Sequence, residues 1–150
     1  MSRAPITLFA ASAVALATAG CAQEQQLRVT DAWVRLAAVK GRPAAVYFTV
    51  HGGPADATLV GVSTEVAVRT EMHESMRAAN GGMTMDAIRA VPVPALQSVR
   101  FTPGGRHAML FDVNPAVQPG GIVTFVFTFA DATRIEQTAR VIAAGDPAPK

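Results

Sequence analysis

Residues 120–129 read GGIVTFVFTF. Val123, Phe125, Phe127 and Phe129 take alternate positions, with Thr124 and Thr128 between them. A period of two sends successive side chains to opposite faces of a strand. β-branched and aromatic residues suit that pleated surface, and the glycine pair in front marks a turn. The stretch therefore predicts a strand with one apolar face and one polar face. Such a strand needs a second layer to cover the apolar side.

Similar short runs, rich in Val, Phe and Thr, recur along the chain. They predict strands over Leu27–Leu36, Ala44–Val50, Ala57–Ser63, Val66–Ser75, Met83–Ala90, Ser98–Phe101, His107–Val113, Gly121–Phe129 and Glu136–Ala143. Gly, Pro, Asn or Asp punctuate them. No amphipathic helical pattern of useful length and no internal repeat is present. The fold class is all-β, a sandwich or barrel, in one domain.

The chain has 150 residues, enough for a single core. Half of the residues are hydrophobic, which excludes intrinsic disorder. Charged residues make up 16% with a net charge of +2, too few and too mixed in sign for a nucleic-acid binder. There is no Gly-x-Ser-x-Gly, no HExxH and no phosphate loop, so no enzymatic motif is visible.

Residues 1–20, MSRAPITLFAASAVALATAG, combine an early Arg, an apolar middle and a small-residue exit. This is the pattern of a secretory signal, with an apolar run shorter than the ~20 residues of a membrane span. Its end reads two ways. Ala17-Thr18-Ala19 fits a cleavage site, whereas Ala19-Gly20-Cys21 resembles a bacterial lipoprotein signal in which Cys21 becomes the lipidated first residue. Thr18 stands where that motif usually has Leu. Cys21 is the only cysteine, so an intramolecular disulfide is impossible. Residues 21–26 read as a tether, 27–144 as the folded domain and 145–150 as a loose tail. The expected location is the periplasm or the cell-envelope side, with membrane contact only through a lipid on Cys21.

Apart from Met1, the methionines are Met72, Met76, Met83, Met85 and Met109, and all fall between positions 72 and 109. His73 and His107 lie in the same window. One methionine alone would read as core filler. Five in one segment with two histidines read as a soft ligand set. Thioether sulfur and imidazole suit copper, and thioether suits Cu(I) above all. Ca or Mg would want oxygen, and zinc would want Cys or more His. His107 and Met109 are an i, i+2 pair on one strand face, as are Met83 and Met85.

These residues resemble the signature of the periplasmic copper chaperone family called PCu(A)C: a His, a Met some residues on, and a later His-x-Met. His73, Met85, His107 and Met109 fill those places, with the family's spacing of twenty-one residues between Met85 and His107. Asp31-Ala32-Trp33-Val34-Arg35, Ala44-Ala45-Val46-Tyr47-Phe48, Leu59-Val60-Gly61-Val62 and Glu71-Met72-His73-Glu74 look like the family's first strands. Pro103-Gly104-Gly105-Arg106-His107-Ala108-Met109-Leu110 is similar to its most recognisable segment. The resemblance implies a cupredoxin-like (immunoglobulin-like) β-sandwich and one Cu(I) held by two imidazoles and two thioethers near the surface. It also implies delivery to the binuclear copper site of a cytochrome c oxidase subunit, alongside a thioredoxin-like partner, or service in periplasmic copper homeostasis. A monomeric carrier rather than an enzyme is expected, since four ligands leave no open coordination position. Met83 is a candidate auxiliary ligand.

Eleven residues separate His73 from Met85, one more than the family's spacing. A two-residue loop at Asn80-Gly81 would put His73 and Met85 on opposite faces. A three-residue loop over Asn80-Gly81-Gly82, pairing Met85 with Arg77, would put them on the same face, so that loop is predicted. Met72 and Met76 are expected to pack, Trp33 to anchor the core, and His51 to be a turn residue. Two other readings compete. A structural or interaction β-sandwich of the cell envelope, binding no metal, would scatter the methionines through the core. A copper redox enzyme would bring a third histidine to the site, and His51 is the only spare.

Overall fold

The computed structural model describes residues 25–149. The signal segment and Cys21 lie outside the described residues. Ten strands run in chain order: β1 (Arg28–Arg35), β2 (Ala44–His51), β3 (Ala57–Ser63), β4 (Ala67–Arg77), β5 (Met83–Ile88), β6 (Val91–Val93), β7 (Ser98–Phe101), β8 (Arg106–Val113), β9 (Ile122–Phe129) and β10 (Arg134–Ile142). No helix occurs among the described residues.

Hydrogen bonding follows the order β5-β4-β8-β2-β1-β10-β9-β3-β6, with β7 added beside β2. The β1–β10 pair is parallel, and the other pairs are antiparallel. This path folds over so that its two halves face one another. Phe48 of β2 meets Phe127 of β9 edge to face at 4.7 Å, although the two strands share no hydrogen bonds. Phe101 stacks on Phe48 at 4.1 Å. Val34, Val46, Val50, Leu59, Leu110, Phe125 and Phe129 complete the buried interior. Each large apolar side chain so buried contributes roughly 1.5–3 kcal/mol. The β9 alternation holds: Val123, Phe125, Phe127 and Phe129 are buried, and Thr124 is exposed.

β6 was not expected, because Pro92 interrupts Val91 and Val93. A proline cannot donate to a ladder and is confined to edges. β6 is such an edge, with Pro92 opposite Thr58. The opposite edge of the path is β5, paired on one side only, with β4.

A bulge in β1 sets which side chains face the core. Val29 and Val34 are both buried although they differ by five positions, an odd offset that would put them on opposite faces of a regular strand. The register shifts between Thr30 and Trp33, with Asp31 at φ 54°. The extra residue reverses the parity of the strand. Trp33 is thereby turned away from the main core into a separate cluster with Tyr47 and Ile142 on the outer face. Trp33 is buried as expected, but it anchors this smaller cluster rather than the main core.

The β4–β5 connection also differs from expectation. Ala78 donates to the Gly82 carbonyl at 2.8 Å, and Gly81 donates to the Ala78 carbonyl at 2.9 Å. The loop is thus Ala79-Asn80-Gly81, one position earlier than predicted. Ser75, not Arg77, pairs with Met85, and Arg77 pairs with Met83. Gly81 takes φ +81°, the left-handed position that closes such three-residue loops. The Asn80 side-chain oxygen accepts from Gly82 N–H at 3.0 Å. A Cβ at residue 81 would meet nothing within 4 Å, so the cost of a side chain there is backbone strain alone. Gly81→Ala is expected to lower stability by about 1–2 kcal/mol, read as a lower urea midpoint with an unchanged slope. No change in midpoint would show that the left-handed residue does not matter.

Candidate metal centre

Three pairs line the outer face of the β4–β8 ladder. Arg69 lies opposite Phe111, Glu71 opposite Met109, and His73 opposite His107. Directly paired residues share a face. Met72 and Ala108, one position along from the histidines, point the other way into the core. Met72 is 5% exposed and packs as expected. Met76 shares the parity of Met72 but lies near the hairpin end, where it is 48% exposed, so it does not pack.

The imidazoles of His73 and His107 stack with ring centroids 5.9 Å apart and planes inclined by 19°. His107 is 6% exposed. Its Nδ1 lies 2.9 Å from the Gly105 carbonyl. A carbonyl only accepts, so Nδ1 carries the proton and Nε2 keeps its lone pair. Tyr47 borders the ring on the other side at 6.4 Å and packs on Trp33 at 4.4 Å. The Arg35 guanidinium sits over Trp33 at 5.0 Å. Burial raises the Tyr47 pKa above its usual value, partly offset by Arg35, so the phenol stays neutral.

His73 has 13% of its side chain exposed. Its Nε2 is 3.3 Å from a Glu71 carboxylate oxygen, and its Nδ1 is buried with no hydrogen-bond partner. A buried nitrogen without a partner is costly, and a metal would satisfy it.

Met109 follows His107 by two positions, and Met85, opposite Ser75, lies diagonally across from His73. Both share the face of the histidines. They stand on opposite sides of the imidazole row, about 14 Å apart along the strands at ~3.4 Å per residue. The backbone alone therefore does not close a four-donor site. Two long, flexible thioether side chains must lean in from either end. Met85 is 51% exposed, which leaves it room to do so. Met83 occupies the same face one step further from the histidines, opposite Arg77. No group of three or more His, Cys, Asp or Glu side chains suited to a metal occurs among the described residues.

His51 is placed elsewhere. It ends β2, with Nε2 at 2.8 Å from the Thr30 hydroxyl and Nδ1 at 2.9 Å from the Ser98 hydroxyl. Both ring nitrogens are engaged, so it is no spare ligand. Desolvation and then the nearby Arg28 lower its pKa, Asp31 works against them, and Arg100 adds the smallest lowering.

Sequence reasoning missed Glu71, Arg69 and Phe111 as parts of this face. The signal was available: Arg69, Glu71 and His73 are spaced i, i+2, i+4 on one strand.

The model of the LpqE-like family, described as putative lipoprotein LpqE-like, matches residues 27–141. The chain belongs to the LpqE-like family. A relative of the LpqE-like chain is the putative lipoprotein Lxx21020 of Leifsonia xyli subsp. xyli, 28% identical over 135 residues, covering 81% of this chain and 80% of that one. Among solved structures, the copper-bound PCuAC domain from PmoF2 superposes with a TM-score of 0.64 at 24% identity, covering 80% of this chain and 95% of that one. Cu(I)-DR1885 from Deinococcus radiodurans superposes at 0.61 with 22% identity, covering 81% of each chain. At these identities the likeness establishes the fold. The LpqE-like chain has the β-sandwich of the PCuAC domains, as its residues led one to expect.

Proposed function

We propose that this chain is an exported carrier of Cu(I), binding one ion through His73, Met85, His107 and Met109. The observation that carries the reading is the cross-strand pairing of His73 with His107, each with a ring nitrogen free to donate and with Met109 and Met85 on the same face. The donor set is soft and, without thiolate, suits Cu(I) over Zn, Ca or Mg. Two solved domains of the same fold are described as copper-bound and as a Cu(I) form, which supports the reading. The ion is cargo: ligands offered from one open sheet face can be exchanged one at a time with those of an acceptor. On the PCu(A)C resemblance the acceptor is the binuclear copper site of cytochrome c oxidase, with a thioredoxin-like protein as helper, and the chain carries rather than catalyses. The signal-like residues 1–20 and the lipoprotein descriptions of its family and relative support an envelope location, with Cys21 as the anchor.

Anaerobic Cu(I) titration against a competing chelator is expected to give one tightly bound ion per chain, and X-ray absorption to give two sulfur and two nitrogen donors. A three-coordinate spectrum without sulfur, or no competition with the chelator, would overturn the assignment. Removal of Cu(I) should leave the sheet intact, since the core contains none of the proposed donors.

A further inference from the structure

The Glu71 carboxylate is shared between two neighbours on its own strand face. One oxygen is paired with the Arg69 guanidinium, and the other lies 3.3 Å from His73 Nε2. Arg69 is itself held, with its guanidinium over the Phe111 ring at 3.9 Å from the centroid. Phe111 lies directly opposite Arg69 in the ladder, as Met109 lies opposite Glu71 and His107 opposite His73. The strand register thus builds a chain of contacts, Phe111–Arg69–Glu71–His73, that ends on a proposed copper donor.

A carboxylate can only accept, so Nε2 of His73 carries the ring proton. The lone pair is then on Nδ1, the buried atom that has no partner. His107 is fixed in the opposite sense: its Nδ1–H donates to the Gly105 carbonyl and its lone pair is on Nε2. We infer that Glu71, held by Arg69, is a positioning residue that keeps the proton on His73 Nε2 and presents Nδ1 to the metal, so that the two histidines bind Cu(I) through different ring nitrogens. This rests on the copper reading above. The ion pair with Arg69 adds a second consequence. It occupies the carboxylate oxygen not used by His73, keeping a hard oxygen ligand out of a site meant for a soft ion.

The first test needs no copper. In the metal-free chain at mildly alkaline pH, long-range nitrogen–proton correlation spectra report which ring nitrogen of each histidine is protonated. The wild type is expected to show His73 protonated on Nε2 and His107 on Nδ1. Glu71→Leu is expected to move His73 to a mixture of tautomers while leaving His107 unchanged. Glu71→Gln, which retains an acceptor oxygen, is expected to restore the wild-type pattern. A His73 that is protonated on Nδ1 in the wild type, or a tautomer unmoved by Glu71→Leu, overturns the inference whatever the copper results. In the loaded protein, Glu71→Leu should weaken Cu(I) binding about 10–100-fold, and Glu71→Gln should recover most of that loss. Arg69→Gln should make Zn(II) binding measurable where the wild type shows none. Equal Cu(I) affinity in the wild type and Glu71→Leu overturns the positioning role, and Zn(II) binding unchanged by Arg69→Gln overturns the masking role. If the wild type binds no Cu(I), the proposed function fails, and the tautomer spectra still decide whether Glu71 sets the proton on His73.

Discussion

His107→Ala combined with Met109→Ala is expected to abolish stoichiometric Cu(I) binding while the sheet stays folded. The pair removes one imidazole and one thioether, half of the proposed donors, from a single strand. The affinity should fall by about a thousandfold or more, equivalent to ~4 kcal/mol at ~1.4 kcal/mol per decade. Both side chains leave the outer face of β8, whereas Ala108 and Leu110 carry its share of the core. Circular dichroism should therefore be close to wild type. Met76→Ala makes the informative control. It deletes a thioether from the same segment, but one that is 48% exposed on the opposite face of β4. Copper affinity should be untouched. If the double variant binds as tightly as the wild type, the ligand assignment is wrong. If Met76→Ala loses as much, methionine content matters rather than the face.

Phe127→Ala is expected to cost about 3–5 kcal/mol of folding stability. Phe127 is fully buried, and its ring meets Phe48 across the interior and Phe125 along its own strand. The Phe48 contact joins strands that share no hydrogen bonds, so its loss leaves a cavity between the two halves rather than at one margin. A domain of this size has only about 5–15 kcal/mol of total stability. Urea unfolding should show a much lower midpoint, and at physiological temperature a sizeable unfolded fraction. A change under about 1 kcal/mol would mean that the two halves do not depend on this contact. Copper binding by the folded fraction should be retained, which separates the interior from the outer-face ladder.

Where a strand has one wet face, its alternation could be read directly, as at Val123 to Phe129. The same rule put His107 with Met109, and His73 with Met85, on common faces. It failed where backbone chemistry interrupts the period. Pro92 hid β6, because a proline reads as a break whether or not its strand is an edge. The inserted residue at Asp31 reversed β1 and carried Trp33 to the outer face, and nothing in DAWVR announces a left-handed aspartate. In the β4–β5 hairpin the parity was legible and the register was not. Loops over residues 79–81 and 80–82 both put His73 and Met85 on one face, and the Asn-Gly-Gly run accommodates either. Contacts between side chains of like spacing, such as Glu71 with His73, were open to the sequence only as a shared face. Whether a carboxylate turns to the imidazole or to solvent depends on Arg69 and on Phe111 across the ladder.

The four proposed donors do not sit on equally secure backbone. His73 is on β4, between β5 and β8, and His107 and Met109 are on β8, between β4 and β2. Each of those strands has neighbours on both sides. Met85 is on β5, the margin of the path, hydrogen-bonded along one side only. Local opening is cheapest at such margins, where fewest backbone bonds must break, and dearest in the middle of a sheet. Withdrawing Met85 asks only that a short terminal ladder fray, whereas withdrawing a histidine asks a strand hydrogen-bonded on both sides to part. The order in which an ion would be let go is thus written into the backbone: the thioether at the margin first, the stacked imidazoles last.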